Sequence, residues 1–314
     1  MKLVIQIPCL NEAKTLSLVL HDIPKKIAGI DTIEILIIDD GSTDDTIKVA
    51  RQLGINHFVR HTRNMGLGQS FHDGVLKALE MGADIVVNTD GDNQYPSGEI
   101  GNLIQPIIEG RADIVVANRQ TDRIAHFSPF KKILQKLGSR IVNIAAGTDI
   151  PDAASGFRAY SREAIIKLNT ITRFSYCMET IIQAGNKQLA ITSIPITTNP
   201  KTRESRLFKS TREHVFQSAM AIIRAYTMYR PYAVFLSLGG TLLALGLIPF
   251  IRYVWFMIDS RPGSHLQSLV LGAILLIGAF LAFVLGVLAD LTRTNRILAE
   301  DQLELAKRSY LKNQ

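Results

Sequence analysis

Up to about Pro231 the apolar positions of this chain fall into two rhythms. Short β-branched runs alternate with longer stretches whose apolar residues recur every third or fourth place. Residues 2–7 read as a buried strand, and Asn11 opens a helix with Leu16, Val19, Leu20 and Ile23 on one face. Residues 33–38 form a second strand, followed by Asp39-Asp40-Gly41-Ser42 and a helix beginning near Thr43 and Asp44, both good N-terminal residues. A short strand at 57–60 precedes a glycine-containing turn at 64–68 and a helix running to Met81. The run Ile85-Val86-Val87-Asn88 predicts a strand ending at Thr89, then a helix from Ser97 or Gly98 to Glu109 and a strand at 113–117. Residues 130–146 read as an amphipathic helix with Lys131, Lys132, Lys136 and Arg140 on its polar side, 152–158 as a turn-rich loop, and 191–197 as a late strand. This alternation predicts an α/β fold whose mainly parallel sheet is covered on both faces.

From Ala233 the rhythm stops. Residues 233–251 carry no charge and match the roughly 20 residues a membrane span needs. The run continues through Arg252 and Tyr253 to Trp255, Phe256 and Met257, an aromatic belt with a snorkelling arginine. Residues 269–289 form a second uncharged block, ending at Asp290 and Arg293. Soluble core helices keep a polar face, so two transmembrane helices are expected. Before them, 207–228 has apolar residues at helical spacing among basic ones, which suits either the membrane surface or packing on the sheet. Lys201, Arg203, Arg206, Lys209, Arg212, Arg224 and Arg230 precede the first span and Arg293, Arg296, Lys307, Arg308 and Lys312 follow the second, against Arg261 alone in the connecting loop. The positive-inside rule then predicts a multi-pass protein of the cell membrane with both the large domain and the C-terminus cytoplasmic. Because Met1 and Lys2 lead straight into the first strand, no signal peptide is expected. The two cysteines, Cys9 and Cys177, suggest no disulfide framework. The net charge of +7 concentrates near the membrane segments, which points to membrane lipids and pyrophosphate, not nucleic acid.

Candidate chemistry gathers where Thr89-Asp90-Gly91-Asp92-Asn93-Gln94 leaves the strand 85–88. Two carboxylates one residue apart turn the same way once the chain bends, and Gly91 eases the bend. With the amide oxygen of Gln94 they make a hard oxygen set suited to Mg²⁺ or Mn²⁺, which complete their shells with phosphate and water. An isolated D-x-D also suits a plain Asp-Gly turn. Ligands of open α/β sheets bind at the carboxyl ends of strands, which is where Arg119 stands after 113–117. Arg119, Arg206 and Lys209 are therefore candidates for charge-assisted contacts to phosphate, with a solvated surface charge as the alternative for each. His57, His61, His72 and His126 show no metal-ligand spacing, and Gly66-Leu67-Gly68 lacks the pattern of a nucleotide-phosphate loop.

Pro8-Cys9-Leu10-Asn11-Glu12, Asp39-Asp40-Gly41-Ser42-Thr43-Asp44, Asp90-Gly91-Asp92-Asn93-Gln94 and Ser155-Gly156-Phe157-Arg158 occur in that order. Together they resemble the inverting family 2 glycosyltransferases, most closely the branch of dolichol-phosphate mannose synthases and polyprenyl-phosphate sugar transferases. The resemblance implies a GT-A catalytic domain over 1–205, amphipathic interface helices over 206–231, two transmembrane helices over 232–291 and a cytoplasmic tail over 292–314. It implies Asp90, Asp92 and Gln94 as metal ligands, Asp92 and Arg119 as catalytic residues, and Mg²⁺ or Mn²⁺ as cofactor. Pro8, Leu10, Glu12, Ile37, Asp39, Asp40, Gly91, Arg206 and Lys209 then face a GDP- or UDP-linked sugar donor. Lys132, Arg140 and Ser155 face the phosphate of a polyprenyl (dolichyl or undecaprenyl) acceptor, and a homo-oligomer is admitted. Leu10 stands where the family often has Tyr, Ala154 where it has Thr, and D-G-D-N-Q where it has D-A-D-L-Q; none of these removes a metal ligand. A polysaccharide synthase is disfavoured because its Gln-x-x-Arg-Trp signature is missing and the single Trp, Trp255, lies in a span. A non-catalytic nucleotide-sugar sensor or scaffold is the reading from another class, and retention of all three metal ligands argues against it.

Overall fold

A computed structural model describes residues 1–121, 129–170, 176–200, 219–220, 223–224, 226–259 and 266–312. Its elements run β1 (Lys2–Cys9), α1 (Leu16–Asp22), β2 (Thr32–Asp39), α2 (Thr46–Gln52), β3 (His57–Arg60), α3 (Leu67–Glu80), β4 (Ile85–Asn88), a 3-10 turn (Ser97–Glu99), α4 (Ile100–Ile108) and β5 (Ile114–Asn118). Then follow α5 (Pro129–Ala146), β6 (Arg158–Ser161), α6 (Arg162–Lys167), α7 (Tyr176–Asn186), β7 (Ile191–Pro195), α8 (Pro231–Ile258) and α9 (Leu266–Lys312). The strands form one seven-stranded sheet in the order β3-β2-β1-β4-β6-β5-β7. Leu3, Ile5 and Ile7 of β1 share an apolar core with Leu16 and Val19 of α1 and Ile100, Leu103 and Ile104 of α4. Each fully buried aliphatic side chain contributes roughly 1.5–3 kcal/mol, which is what holds these helices on the sheet.

The parallel pairing expected from the alternation holds for β1 with β2 and β4, β2 with β3, and β5 with β7. The exception is β6, which inserts antiparallel between β4 and β5. Its four residues, Arg-Ala-Tyr-Ser, carry a charge and no β-branched run, so no apolar signal announces it. Two helices also start later than their sequence suggests. Asn11 takes a left-handed φ of 58° instead of opening α1. Its side-chain Oδ1 accepts from the backbone N–H of Thr43 at 2.7 Å and of Asp44 at 3.2 Å, tying together the two loops that precede α1 and α2. A side chain that serves a neighbouring loop in this way competes with helix initiation.

The described chain divides into two compact units, Met1–Ala225 with Leu303–Gln314, and Tyr226–Gln302. In the second, the most apolar windows of α8 and α9 have mean hydropathies of 2.2 and 2.8, yet only 11% and 22% of each is buried, unlike the core helices of a soluble protein. At 28 residues α8 is about 42 Å long, enough to cross the roughly 30 Å hydrocarbon layer. The two helices meet along small residues: a Cβ on Gly239 would strike the Phe283 ring at 2.6 Å, and one on Gly272 would lie 3.0 Å from the Gly246 carbonyl oxygen. Such seams let helix backbones approach closely in lipid.

The helix α9 does not stop with its apolar stretch but continues to Lys312, and its last turns belong to the first unit. There Lys307 Nζ donates to the carbonyls of Ile166 and Leu168, each at 3.1 Å, and to Asn169 Oδ1 at 2.9 Å, while Arg308 pairs with Glu163. A cation on the last carbonyls of α6 satisfies groups that a helix end leaves open. Lys307→Met is expected to destabilise this unit by about 1.5–3 kcal/mol, the scale of a charged hydrogen bond. Thermal unfolding of the detergent-purified full chain checks this, and an unchanged midpoint would refute the contact.

Candidate active site

Because β1, β2, β4 and β5 run in one direction, residues 8–12, 39–44, 89–94 and Arg119 all emerge at one edge of the sheet. The antiparallel β6 enters from that same edge, with Arg158 paired in register to Asn88 of β4 and Val116 of β5. This seats Ser155-Gly156-Phe157 between the loops that follow β4 and β5. Strand order reverses between β1 and β4, the switch point at which open sheets bind ligands.

The side next to β1 and β2 is built by short polar contacts. Asn11 N–H donates to Ser42 Oγ at 3.0 Å and Glu12 N–H to Thr46 Oγ1 at 2.8 Å. Glu12 is buried, and its Oε2 lies 3.0 Å from Thr15 Oγ1. Asp39 is buried and accepts from Ser42 N–H at 2.9 Å. Asp40 is committed to the fold: it accepts from Met65 and Gly66 N–H at 2.7 and 3.0 Å and contacts His61 Nδ1 at 2.7 Å. His61 reaches Asp73 with its other nitrogen, so it is a packing residue between two carboxylates. Gly41 has a φ of 80°, and a Cβ there would lie 2.7 Å from the Arg63 carbonyl carbon, so the loop needs glycine. Pro8 and Leu10 are half-buried at the same edge. Ile37 lies two residues before Asp39 on β2, with its side chain wholly buried in the apolar core.

The loop after β4 is pinned on both sides. Thr15 Oγ1 donates to the Gly91 carbonyl at 2.7 Å, and a Cβ on Gly91 would lie 3.1 Å from both Cys9 Sγ and Glu12 Cγ. Asn93 takes a left-handed φ of 60°, and Asp92 Oδ1 accepts from Gln94 N–H at 3.0 Å, closing the turn. The Asp90 carboxylate lies against Gly156, whose Cβ, if present, would sit 3.5 Å from Asp90 Oδ2. Gly156 is itself clamped: its N–H donates to Tyr95 OH at 2.9 Å, and its carbonyl accepts from Asn88 Nδ2 at 3.1 Å and Tyr176 OH at 2.9 Å. Burial keeps both tyrosine hydroxyls protonated, so Tyr176 can donate to the Gly156 carbonyl while Tyr95 accepts the Gly156 N–H. These contacts fix the D-G-D loop and the Ser155-Gly156 loop side by side.

Beyond them, Arg119 forms a bidentate pair with Asp152, Nε to Oδ2 at 2.7 Å and Nη2 to Oδ1 at 2.8 Å. Burial works against the Arg119 charge, and the ion pair and hydrogen bonds with Asp152 favour it, so Arg119 stays charged. Arg158 is fully buried and donates to the carbonyls of Ser155, Cys177 and Ala153 and to Thr180 Oγ1, all within 2.9 Å. It thus holds the turn in which Ser155 Oγ is buried with no hydrogen-bond partner among the described residues. Arg140 is exposed and Lys132 half-buried on α5. Arg206, Lys209, His126 and the side chain of Lys131 lie outside the described residues. Sequence reading gave no role to Asn88, Tyr95, Asp152 or Tyr176; Tyr95 directly follows the D-G-D-N-Q run, which was its one available signal.

Among the described residues no group of three or more His, Cys, Asp or Glu could hold a metal ion alone. The chemistry of Asp90, Asp92 and Gln94 nevertheless fits an ion of the Mg²⁺ type, which uses one or two carboxylates and takes its remaining ligands from phosphate and water. The buried Thr89 Oγ1 just before Asp90, without a partner among the described residues, adds a further polar atom at the same turn.

Residues 4–168 match the model of Glycosyl transferase family 2. A UDP-N-acetylglucosamine–dolichyl-phosphate N-acetylglucosaminyltransferase of Methanococcus voltae is 31% identical over 213 residues, covering 61% of this chain and 83% of that protein. Glycosyltransferase AglJ of Haloferax volcanii is 28% identical over 297 residues, 90% of this chain and 91% of its own. Among solved structures, glucosyl-3-phosphoglycerate synthase from Mycobacterium tuberculosis, in complex with Mn²⁺, UDP and phosphoglyceric acid, superposes with a TM-score of 0.55 at 20% identity, over 70% of this chain and 78% of that one.

Proposed function

This chain belongs to glycosyl transferase family 2, and from that premise we propose that it moves one sugar from a nucleoside diphosphate to a polyprenyl phosphate at a membrane. The fold is GT-A. The observation that carries the reading is the pairing of the D-G-D loop with the Ser155-Gly156 loop at the switch point, in a chain that continues into two membrane-length helices.

Each group at the edge has a task in such a transfer. Asp90, Asp92 and Gln94 would hold Mg²⁺ or Mn²⁺, which supplies charge neutralisation to the departing diphosphate. Glu12 and Asp39 offer acceptors to the ribose and base of the donor. Arg119, held rigid by Asp152, presents its remaining N–H groups to phosphate without an ordering cost. Ser155 Oγ–H offers a hydrogen bond to the acceptor, with Lys132 and Arg140 adding positive charge. A lipid phosphate is largely ionised at neutral pH, so holding it in line opposite the leaving group replaces most of the work of a general base. The dolichyl-phosphate named for the Methanococcus relative supports this acceptor class.

We also propose that 1–225 and the C-terminus face the cytoplasm. An even number of spans between two segments of one compact unit supports this, as does the lysine and arginine asymmetry. Cys9 and Cys177 are buried, so the thiol of Ser264→Cys would report alone. It is expected to react with an impermeant maleimide only from the non-cytoplasmic side; labelling only from the cytoplasm would refute the topology. The transfer is tested with purified protein, polyprenyl phosphate and a panel of labelled UDP- and GDP-sugars. One donor is expected to pass its label into the lipid extract, and a panel in which none does so would overturn the reading.

A further inference from the structure

The helix α5 packs the wrong way round for a soluble domain. Its inward face is made of small residues: Ser139, Val142, Ala145 and Ala146 are buried. At that end a Cβ on Gly185 of α7 would overlap the Ala146 carbonyl, so the two backbones are in close contact. Four large aliphatic residues point outward instead, with Ile133 63%, Leu137 52%, Ile141 38% and Ile144 59% exposed. Their spacing of four, four and three residues puts them on one stripe. Lys132, Lys136 and Arg140, themselves four apart, run beside it.

We infer that this outer face of α5 is a second membrane contact, lying in the headgroup layer of an anionic leaflet. The aliphatic stripe enters the acyl boundary while Lys132, Lys136 and Arg140 pair with lipid phosphates. Lysine flanking isoleucine and leucine is the composition of an in-plane membrane helix. Protein interfaces, by contrast, are depleted of lysine and favour aromatic residues. A shallow cavity of about 360 Å³ opens on the same helix, lined by Lys136, Arg140, Asn143, Thr148 and Asp149 among others, and gives a headgroup phosphate a place beside the stripe. The inference rests on membrane anchoring of the chain but not on the identity of the acceptor.

The test uses the full chain in nanodiscs, with a fluorophore on Leu137→Cys or Ile144→Cys and, as control, on exposed Gln52→Cys of α2. Nitroxide groups placed shallow in the lipid are expected to quench the first two and not the third. Lys136→Glu with Arg140→Glu should weaken that quenching severalfold, since each basic residue near an anionic surface accounts for about a fivefold change in partitioning. Discs of zwitterionic lipid alone should weaken it likewise. Probes at 137 and 144 that iodide reaches from water, and lipid nitroxide does not, would overturn the proposal. So would probes shielded from both quenchers, which would mean a protein covers the stripe, or quenching indifferent to lipid charge. None of these readouts involves catalysis, so their failure is separable from failure of the sugar-transfer reading.

Discussion

Asp92→Asn is expected to lower sugar transfer by about 10²–10³-fold while the protein stays folded and membrane-bound. The magnitude is that of removing one preorganised contact to charge developing in the transition state. Asparagine keeps an oxygen that can accept the Gln94 N–H, the bond that closes the turn at 3.0 Å in the wild type. The loop is also fastened independently through Gly91 to Thr15 and through its close seat on Cys9 and Glu12. The second carboxylate charge of the D-G-D loop is lost, so the defect should fall on metal and diphosphate binding. Steady-state rates with the preferred donor, alongside thermal unfolding, separate the two effects. Near wild-type transfer by the variant, or wild-type activity in excess chelator, would remove Asp92 from the mechanism.

Asp152→Ala should have the largest effect on stability, about 3–5 kcal/mol, because it leaves Arg119 charged and without its partner in a nearly closed site. Removing both charges with Arg119→Met and Asp152→Ala should recover much of that loss, since no uncompensated ion remains. The pair also sets an acid limit. Burial pushes the Asp152 carboxyl up, but the Arg119 guanidinium outweighs it and holds its pKa below the usual carboxylate range. A carboxyl depressed in the folded state contributes stability that is complete above its unfolded pKa of about 3.9 and is lost as pH falls through the folded value. Denaturant midpoints should therefore differ between wild type and Asp152→Ala at neutral pH and converge in strong acid. Equal midpoints at pH 7 would mean the pair is energetically idle.

What the sequence disclosed follows from how each element earns its place. Strands buried on both faces, such as 85–88, declare themselves by β-branched runs, and their motifs then fall at one edge by parallel topology alone. The strand β6 was hidden because its register depends on Arg158, buried by hydrogen bonds to Ser155, Cys177, Thr180 and Ala153, and on Tyr160, buried against Phe71, contacts that no local pattern encodes. The helix α7 was hidden for a related reason: Glu179, Thr180 and Gln183 are buried on it, which erases the apolar stripe. Asp152 looked like a turn residue until the fold brought Arg119 to it across 33 positions. The later starts of α1 and α2 depend on Asn11 bonding to a loop 32 and 33 residues away, again a contact between distant segments.

In the proposed reaction a sugar passes, without its phosphate, to a lipid phosphate. The most direct measurement is to identify both products of one reaction, the nucleotide by chromatography and the lipid by mass spectrometry. The expected result is a nucleoside diphosphate released in equal amount with a polyprenyl monophosphate that has gained one sugar. A nucleoside monophosphate with a polyprenyl diphosphate sugar, or free sugar with no modified lipid, would contradict it.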